Sequence, residues 1–254
     1  MTKIIFITWF LIIWLMIIAW LLSILKKNPG VIDVFWGCAI SLAGLIYINI
    51  GIGNTVKYAF QILLIIWAVR LSGYLLLTRV LPKHLDMRYE DVSNSWKISK
   101  NIGFFINFQF QGLLALIIAT PFIFIGKASS FNTLSIIAMT IVVIGFIGEF
   151  FADYQLHKFK KSGSKGVCDI GLWQYSRHPN YFFEWLIWLG FGIAALASPL
   201  AWFSLISPLL LLCLMLFITI PITERGSLKS RGDAYREYMK STSIFIPMPP
   251  RREI

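Results

Sequence analysis

Acidic residues are scarce in this chain: 12 Asp and Glu stand against 23 Lys and Arg in 254 residues, and charged residues of both signs make up only 14%. With 57% hydrophobic residues and a mean hydropathy of +0.74, that excludes an ordinary soluble domain, whose core needs no such apolar excess. Cysteine is equally sparse. Cys38, Cys168 and Cys213 show no paired spacing, which argues against a disulfide framework and a zinc site. The three His residues, His84, His157 and His178, lie far apart in sequence, so no metal centre is expected. Internal repeats, low-complexity tracts and soluble domains are also missing, and nothing resembles a nucleic-acid module.

What the chain does have is long apolar runs. Seven are long enough to cross a hydrocarbon core about 30 Å thick: Ile4–Leu25, Val31–Gly53, Tyr58–Thr78, Ile102–Ile125, Leu134–Ala152, Tyr181–Ala197 and Ala201–Pro221. The expectation is an all-α polytopic membrane protein of about seven transmembrane helices, forming one integral domain over 1–254. The first run is longer than a signal-peptide core and no small-residue cleavage site follows it, so it is expected to be retained. Lys and Arg concentrate after the first, third and fifth runs and in the tail, leaving Lys3, Lys57 and Lys127 on the other side. The positive-inside rule then puts the amino terminus outside and the carboxyl terminus in the cytoplasm. The net charge of +11 fits attraction to anionic lipid and equally a cytoplasmic pocket for a polyanionic cofactor. In the tail, Leu228 to Met239 has the spacing of one amphipathic helix, followed by a Pro-stiffened finish at Phe245, Ile246 and Pro247.

An ionisable group at the centre of a spanning helix costs about 2.5–3.5 kcal/mol on insertion scales, so it must face a partner or a wet cavity. Asp33, Arg70, Glu149, Asp153 and Glu184 are such groups. Arg70 and Tyr74 stand one turn apart in the third run, with Arg79 further down. Glu149 and Asp153 share a face at i,i+4, with His157 one turn on, and Asn180 and Glu184 repeat that spacing ahead of Trp188. The most informative segment is GLWQYSRHPNYFFEW, from Gly171 to Trp185, where a polar turn runs directly into an apolar helix. Arg177, His178 and Asn180 stand at a helix amino terminus whose free N–H groups favour anions, and Pro179 suits the first helical position. Lys158, Lys160, Lys161 and Lys165 add a cationic rim. A rim of cations over deeper carboxylates suits a dinucleotide, and it suits S-adenosylmethionine as well, whose sulfonium can rest near a carboxylate or an aromatic face.

The residues from Glu149 through Trp188, EFFADYQLHKFKKSG and GLWQYSRHPNYFFEWLIWLG, resemble the carboxyl-terminal half of steroid 5-alpha-reductases and, more closely, their bacterial relatives in the DUF1295 group. The resemblance implies that this half holds NADPH and that Asp153, Tyr175, Asn180 and Glu184 contact it. Lys160 stands where the reductases have an Arg, and Glu149 where they have an Asn. Upstream, Arg70, Tyr74 and Arg79 match a helix spacing of the reductases, Asp33 matches the acid that helps bind the steroid ketone, and Trp67 replaces its partner Tyr. An indole N–H donates a hydrogen bond without releasing a proton as a phenol does, so Tyr74 or Tyr89 would have to supply the proton if Asp33 does not.

Arg177, His178, Pro179, Asn180 and Tyr181 also resemble the RHPxY signature of isoprenylcysteine carboxyl methyltransferases. Glu224, Leu228, Gly232, Tyr235 and Tyr238 follow the tail outline of those enzymes, with Arg225 in place of a second Glu. A cation there fits a phosphate better than a sulfonium. The reading favoured by these residues is therefore a membrane-embedded, NADPH-dependent reductase of a lipid C=C bond. In it 1–130 forms the substrate side, with Asp33, Trp67, Tyr74 and Tyr89. The cofactor half, 131–254, uses Glu149, Asp153, Lys160, Lys165, Tyr175, Arg177, His178, Asn180, Tyr181, Glu184, Arg225, Tyr235 and Tyr238, joined by Arg70 and Arg79. The alternatives are an S-adenosylmethionine-dependent membrane methyltransferase and a non-enzymatic lipid-binding protein. The expected partners are the bilayer and a lipid substrate, and the expected location is a bacterial inner membrane with the cofactor site facing the cytoplasm.

Overall fold

A run such as Thr2–Lys26, with no Gly or Pro, satisfies its backbone N–H and C=O groups within one helix, which hydrocarbon requires. In the computed structural model that run is α1 (Thr2–Lys26), closed by Lys27 in the left-handed region at φ 51°. The structure describes all residues except 52–54, 82–86, 129–130, 165, 199–200 and 252–254, and the side chains of Met87, Arg88 and Asp91 are likewise outside it. Along α1, Phe6, Phe10, Trp14, Ile18 and Leu25 are exposed, while Thr8, Ile12, Met16, Ala19 and Ser23 are buried. Large apolar side chains outside, with Thr8, Ala19 and Ser23 beside Ile12 and Met16 inside, form the pattern of a lipid-facing helix.

The helices that follow are α2 (Val31–Ile48), α3 (Thr55–Leu75, continued by a π-helical turn Leu76–Val80), α4 (Met87–Asn94), α5 (Lys100–Ile118), α6 (Pro121–Ile125), α7 (Thr133–Lys161), α8 (Pro179–Ala195), α9 (Ile206–Leu214), α10 (Ile220–Arg231) and α11 (Asp233–Ser241). No strand occurs among the described residues. Among the described residues, six helical stretches are long and apolar enough to cross a membrane: Thr2–Lys26, Val31–Ile48, Thr55–Val80, Lys100–Ile125, Thr133–Lys161 and Ala201–Arg231. The expected span at Tyr181–Ala197 corresponds to α8, whose 17 residues reach about 26 Å, just short of the shortest of these six, the 18 residues of Val31–Ile48. The last stretch runs on to Arg231 rather than stopping at Pro221, because Pro221 takes a first-turn position of α10 and needs no N–H there. The single amphipathic helix expected over Leu228 to Met239 is two helices. Gly232, at φ 54°, ends α10 and starts α11 in a conformation that a side chain resists.

Internal contacts divide the chain into two units, residues 1–136 with 191–207 and residues 137–190 with 208–254. In the first, α2 is the central helix, touching α1, α3, α5 and α6. Close approach comes from small residues. Gly37 meets Ser72 and Leu71 of α3, Gly44 meets Leu64 and Phe122, and Gly112 of α5 meets Ile12 and Met16 of α1. Phe60, Trp67, Phe108, Phe122 and Phe191 fill the interior. In the second unit α7 and α8 pack through glycine. Gly145 and Gly148 of α7 lie against Ile187 and Phe183 of α8, and Gly190 of α8 lies against Val142 and the Ala138 carbonyl.

Candidate functional site

The second unit positions the segment singled out by sequence. Between α7 and α8 the chain turns back over the last apolar turn of α7. Trp173 Nε1 donates to the Ala152 carbonyl at 2.9 Å, and the Leu172 N–H donates to Gln155 Oε1 at 2.9 Å. Gly171, at φ 57°, passes so close to the Gln155 amide that a side chain would collide with it. This docking sets the start of α8 beside Asp153. Asn180, at the second position of α8, donates through Nδ2 to Asp153 Oδ1 at 3.4 Å. Because Asp153 accepts, the amide nitrogen must face it, which fixes Asn180 Oδ1 on the other side. That oxygen is buried and has no hydrogen-bond partner among the described residues. One turn further, Glu184 is buried and accepts from Trp188 Nε1 at 3.0 Å. Glu149 is also buried.

Arg177 and His178 are organised differently from the cationic rim expected of them. Arg177 Nε donates to Glu224 Oε1 at 2.7 Å, and its Nη1 donates to the carbonyls of Met239 and Thr242, both at 2.9 Å. His178 Nε2 lies 3.3 Å from the same carboxylate oxygen, and Tyr235 OH donates to it at 3.4 Å. Burial lowers the pKa of His178, and the Glu224 carboxylate opposes that shift. The neutral ring therefore donates its Nε2 proton to Glu224. Burial, reinforced by the negative charge of Glu224, pushes the Tyr235 phenol up to about 12, and burial raises that of Tyr238 as well. Tyr238 OH donates to the Trp173 and Ser176 carbonyls. Both phenols stay protonated near neutrality; Tyr235 ties α11 to α10, and Tyr238 ties it to the turn.

The tail completes this block. Ser176 Oγ donates to the Phe245 carbonyl at 2.8 Å, the Arg177 N–H to the Ser243 carbonyl at 2.8 Å and the Met248 N–H to the Tyr175 carbonyl at 2.8 Å. The Phe245 ring sits 5.7 Å from that of Phe182 and 5.9 Å from that of Trp185. Every polar group of Arg177 and His178 named here thus serves the join between turn, α10, α11 and tail. Tyr181 stacks on His178 with ring centroids 5.2 Å apart, and its hydroxyl lies 3.5 Å from Thr223 Oγ1. Beside the block an open cleft of about 910 Å³ is lined by residues that include Asp169, Gln174, Glu237 and Arg251.

The other expected residues fall as follows. Lys160, Tyr175 and Arg225 are exposed on the second unit. Lys165 and His84 lie outside the described residues. In the first unit Asp33 forms an ion pair with Arg79, and Asn28 Nδ2 donates to the Arg79 carbonyl at 2.9 Å. Trp67 is fully buried, Arg70 and Tyr74 are half-buried, and half-buried Tyr89 lies 6.4 Å from Phe104, ring to ring. Among the described residues no group of His, Cys, Asp or Glu could hold a metal ion. Sequence reasoning overlooked Glu224 as a hub and Gln155 as an anchor. A signal for Glu224 existed, since it is the lone acid in Ala201–Arg231. With that span expected to end at Pro221, Glu224 entered only through the tail outline shared with the methyltransferases.

Apolar helices of membrane-spanning length and a polar turn locked into the start of α8 define a helical membrane protein with its candidate site on the second unit. The chain belongs to the family described as "Protein of unknown function (DUF1295)", which matches residues 19–242. It is similar to the uncharacterized protein C594.04c of Schizosaccharomyces pombe, 24% identical over 222 residues that take in 73% of this chain and 63% of the yeast protein. The chain therefore spans less than two thirds of the length of that relative. No solved structure matches it.

Proposed function

We propose that this protein is a membrane-embedded, NADPH-dependent reductase acting on an activated C=C bond of a lipid. The observation that carries the reading is the buried Oδ1 of Asn180 beside the Asp153 carboxylate, without a hydrogen-bond partner among the described residues. A buried acceptor without a donor costs about 1–3 kcal/mol, and a primary carboxamide such as that of nicotinamide brings the missing N–H. Asp153 holds the Asn180 amide in the orientation that presents this acceptor, and Glu184, oriented by Trp188, adds a second acceptor on the same face of α8. The exposed Lys158, Lys161 and Arg225 are available to phosphates, whereas Arg177 is committed to Glu224 and the tail. When bound, NADPH supplies the hydride. The charge asymmetry of the loops supports placing this side in the cytoplasm.

Residues 1–130 supply the substrate side in this reading. Asp33 is held by Arg79, so its role there is to anchor a substrate oxygen through the pair. The proton falls to Tyr74 or Tyr89, whose phenols can release one. The signature Arg177-His178-Pro179-Asn180-Tyr181, shared with methyltransferases, does not separate the two chemistries, because Arg177 and His178 serve the join with Glu224 and the tail.

The test is thermal stability of the detergent-purified protein with NADPH, NADH and S-adenosylmethionine in parallel. A ligand at about 100 times its dissociation constant stabilises by about 2.7 kcal/mol. NADPH should raise the Tm of the wild type and raise that of Asn180→Ala by at most about half as much. Stabilisation by S-adenosylmethionine alone would transfer the site to a methyl donor.

A further inference from the structure

The carboxyl-terminal strap has two faces. Phe245 is buried against Phe182 and Trp185, while its neighbours Ile244, Ile246 and Met248 are 41%, 53% and 53% exposed. A strap this apolar, left in water, would form an uncompensated patch.

Its depth can be read from what it touches. Tyr175 and Arg177, which bond the strap, flank the turn whose Trp173 bonds the carbonyl of Ala152. Ala152 is where the apolar run of α7 ends, and polar residues begin immediately after it with Asp153, His157 and Lys158. The strap therefore lies level with the boundary between hydrocarbon and headgroups. Tyr175, whose carbonyl accepts from the Met248 N–H of the strap, is exposed at this level, as aromatic residues are at membrane interfaces. Just beyond, Lys158, Lys160 and Lys161 at the end of α7, together with Arg251 at the end of the strap, are exposed cations.

The geometry points to a lipid-binding surface: Ile244, Ile246 and Met248 seat in the acyl–headgroup boundary of the leaflet on this side, and the flanking Lys and Arg engage anionic headgroups. Apolar insertion with nearby cations is how interfacial segments bind bilayers, and each basic residue near the surface adds to the attraction to anionic lipid. The inference is independent of the reductase reading. It does bear on the same site, since the strap holds the turn that precedes Asn180.

The experiment uses the full chain with its cysteines removed (Cys38→Ala, Cys168→Ala, Cys213→Ala) and a single environment-sensitive fluorophore at Ile244→Cys or Ile246→Cys. The control is Glu237→Cys on the exposed face of α11. The protein is placed in vesicles of phosphatidylcholine, with and without phosphatidylglycerol. Fluorophores at 244 and 246 should be quenched by lipids spin-labelled high on the acyl chain and should resist aqueous iodide several-fold better than the one at 237, with phosphatidylglycerol enlarging the difference. Equal iodide quenching at all three positions would overturn the inference. So would shielding that disappears on diluting the protein among more vesicles, which would mean a second copy covers the strap.

The wild-type chain offers a second readout that does not depend on the cysteine-free variant. In vesicles Met248 should be oxidised by dilute peroxide as slowly as the buried Met16. Oxidation at the rate of a free peptide of the same sequence would refute the seating.

Discussion

Arg177 and Glu224, 47 positions apart in sequence, meet at 2.7 Å in the interior of the second unit. One carboxylate oxygen thereby receives a guanidinium, an imidazole and a phenol, while the same guanidinium holds two carbonyls near the tail. A pair so enclosed is costly to assemble and more costly to break.

Glu224→Ala is therefore expected to destabilise the protein by about 3–5 kcal/mol, the range for removing one partner of a buried pair. Replacing both residues with apolar ones of similar volume should recover most of the loss. Denaturation midpoints in detergent for the two single variants and the double variant check this. A double variant as unstable as Glu224→Ala would show that the carbonyl contacts of Arg177, rather than the ion pair, carry the stability.

Asn180 tests the site itself. Asn180→Ala should weaken NADPH binding by about 10–100-fold, the equivalent of one or two tenfold steps at 1.4 kcal/mol each. Asn180→Asp should weaken it further, because a second carboxylate would face Asp153. Titration by intrinsic fluorescence reads both. Equal affinity in all three proteins would remove Asn180 from the binding site.

The pH dependence follows from His178. Burial holds its folded pKa below the ordinary value of 6.5, so between the two values the unfolded chain binds the extra proton. The stability contributed by the neutral ring is full above 6.5 and is lost as pH falls from there toward the folded pKa. His178→Gln, which keeps a neutral donor facing Glu224, should flatten the fall in Tm between about pH 7 and pH 5. An unchanged slope would assign the acid sensitivity to other groups.

Helix packing offers a test without charge. Gly148→Leu forces a side chain into the Phe183 ring and should cost about 1–3 kcal/mol or more by overpacking. Gly166→Ala, in open space at an ordinary backbone angle, should be neutral. Tm values of both variants give the comparison.

Much of this was legible in the sequence, for reasons that differ by element. The apolar runs announce helices because hydrocarbon permits little else, and α1 and α2 start close to where their runs indicate, whereas α7 continues past Ala152 to Lys161. Asp153 and Asn180 were each legible as polar groups in apolar helices that need partners, but that they meet one another appears only in the structure. What stayed hidden depends on distant segments meeting. Nothing near Arg177 shows that Glu224, Met239 and Thr242 will enclose it, and its place at a helix start reads locally as an anion site. Gly232 was visible as a glycine, but only the backbone reveals the left-handed turn that splits α10 from α11.

The reach of the tail back to Arg177 also has a consequence for biosynthesis. During translation the turn at Trp173–Arg177 leaves the ribosome well before Thr242 and Ser243, so until these follow, the guanidinium lacks the Thr242 carbonyl and the Arg177 N–H lacks that of Ser243. The second unit can close only after Ser243 has been made. A message cut short before codon 242 would leave Arg177 with Glu224 and the Met239 carbonyl but without these two acceptors.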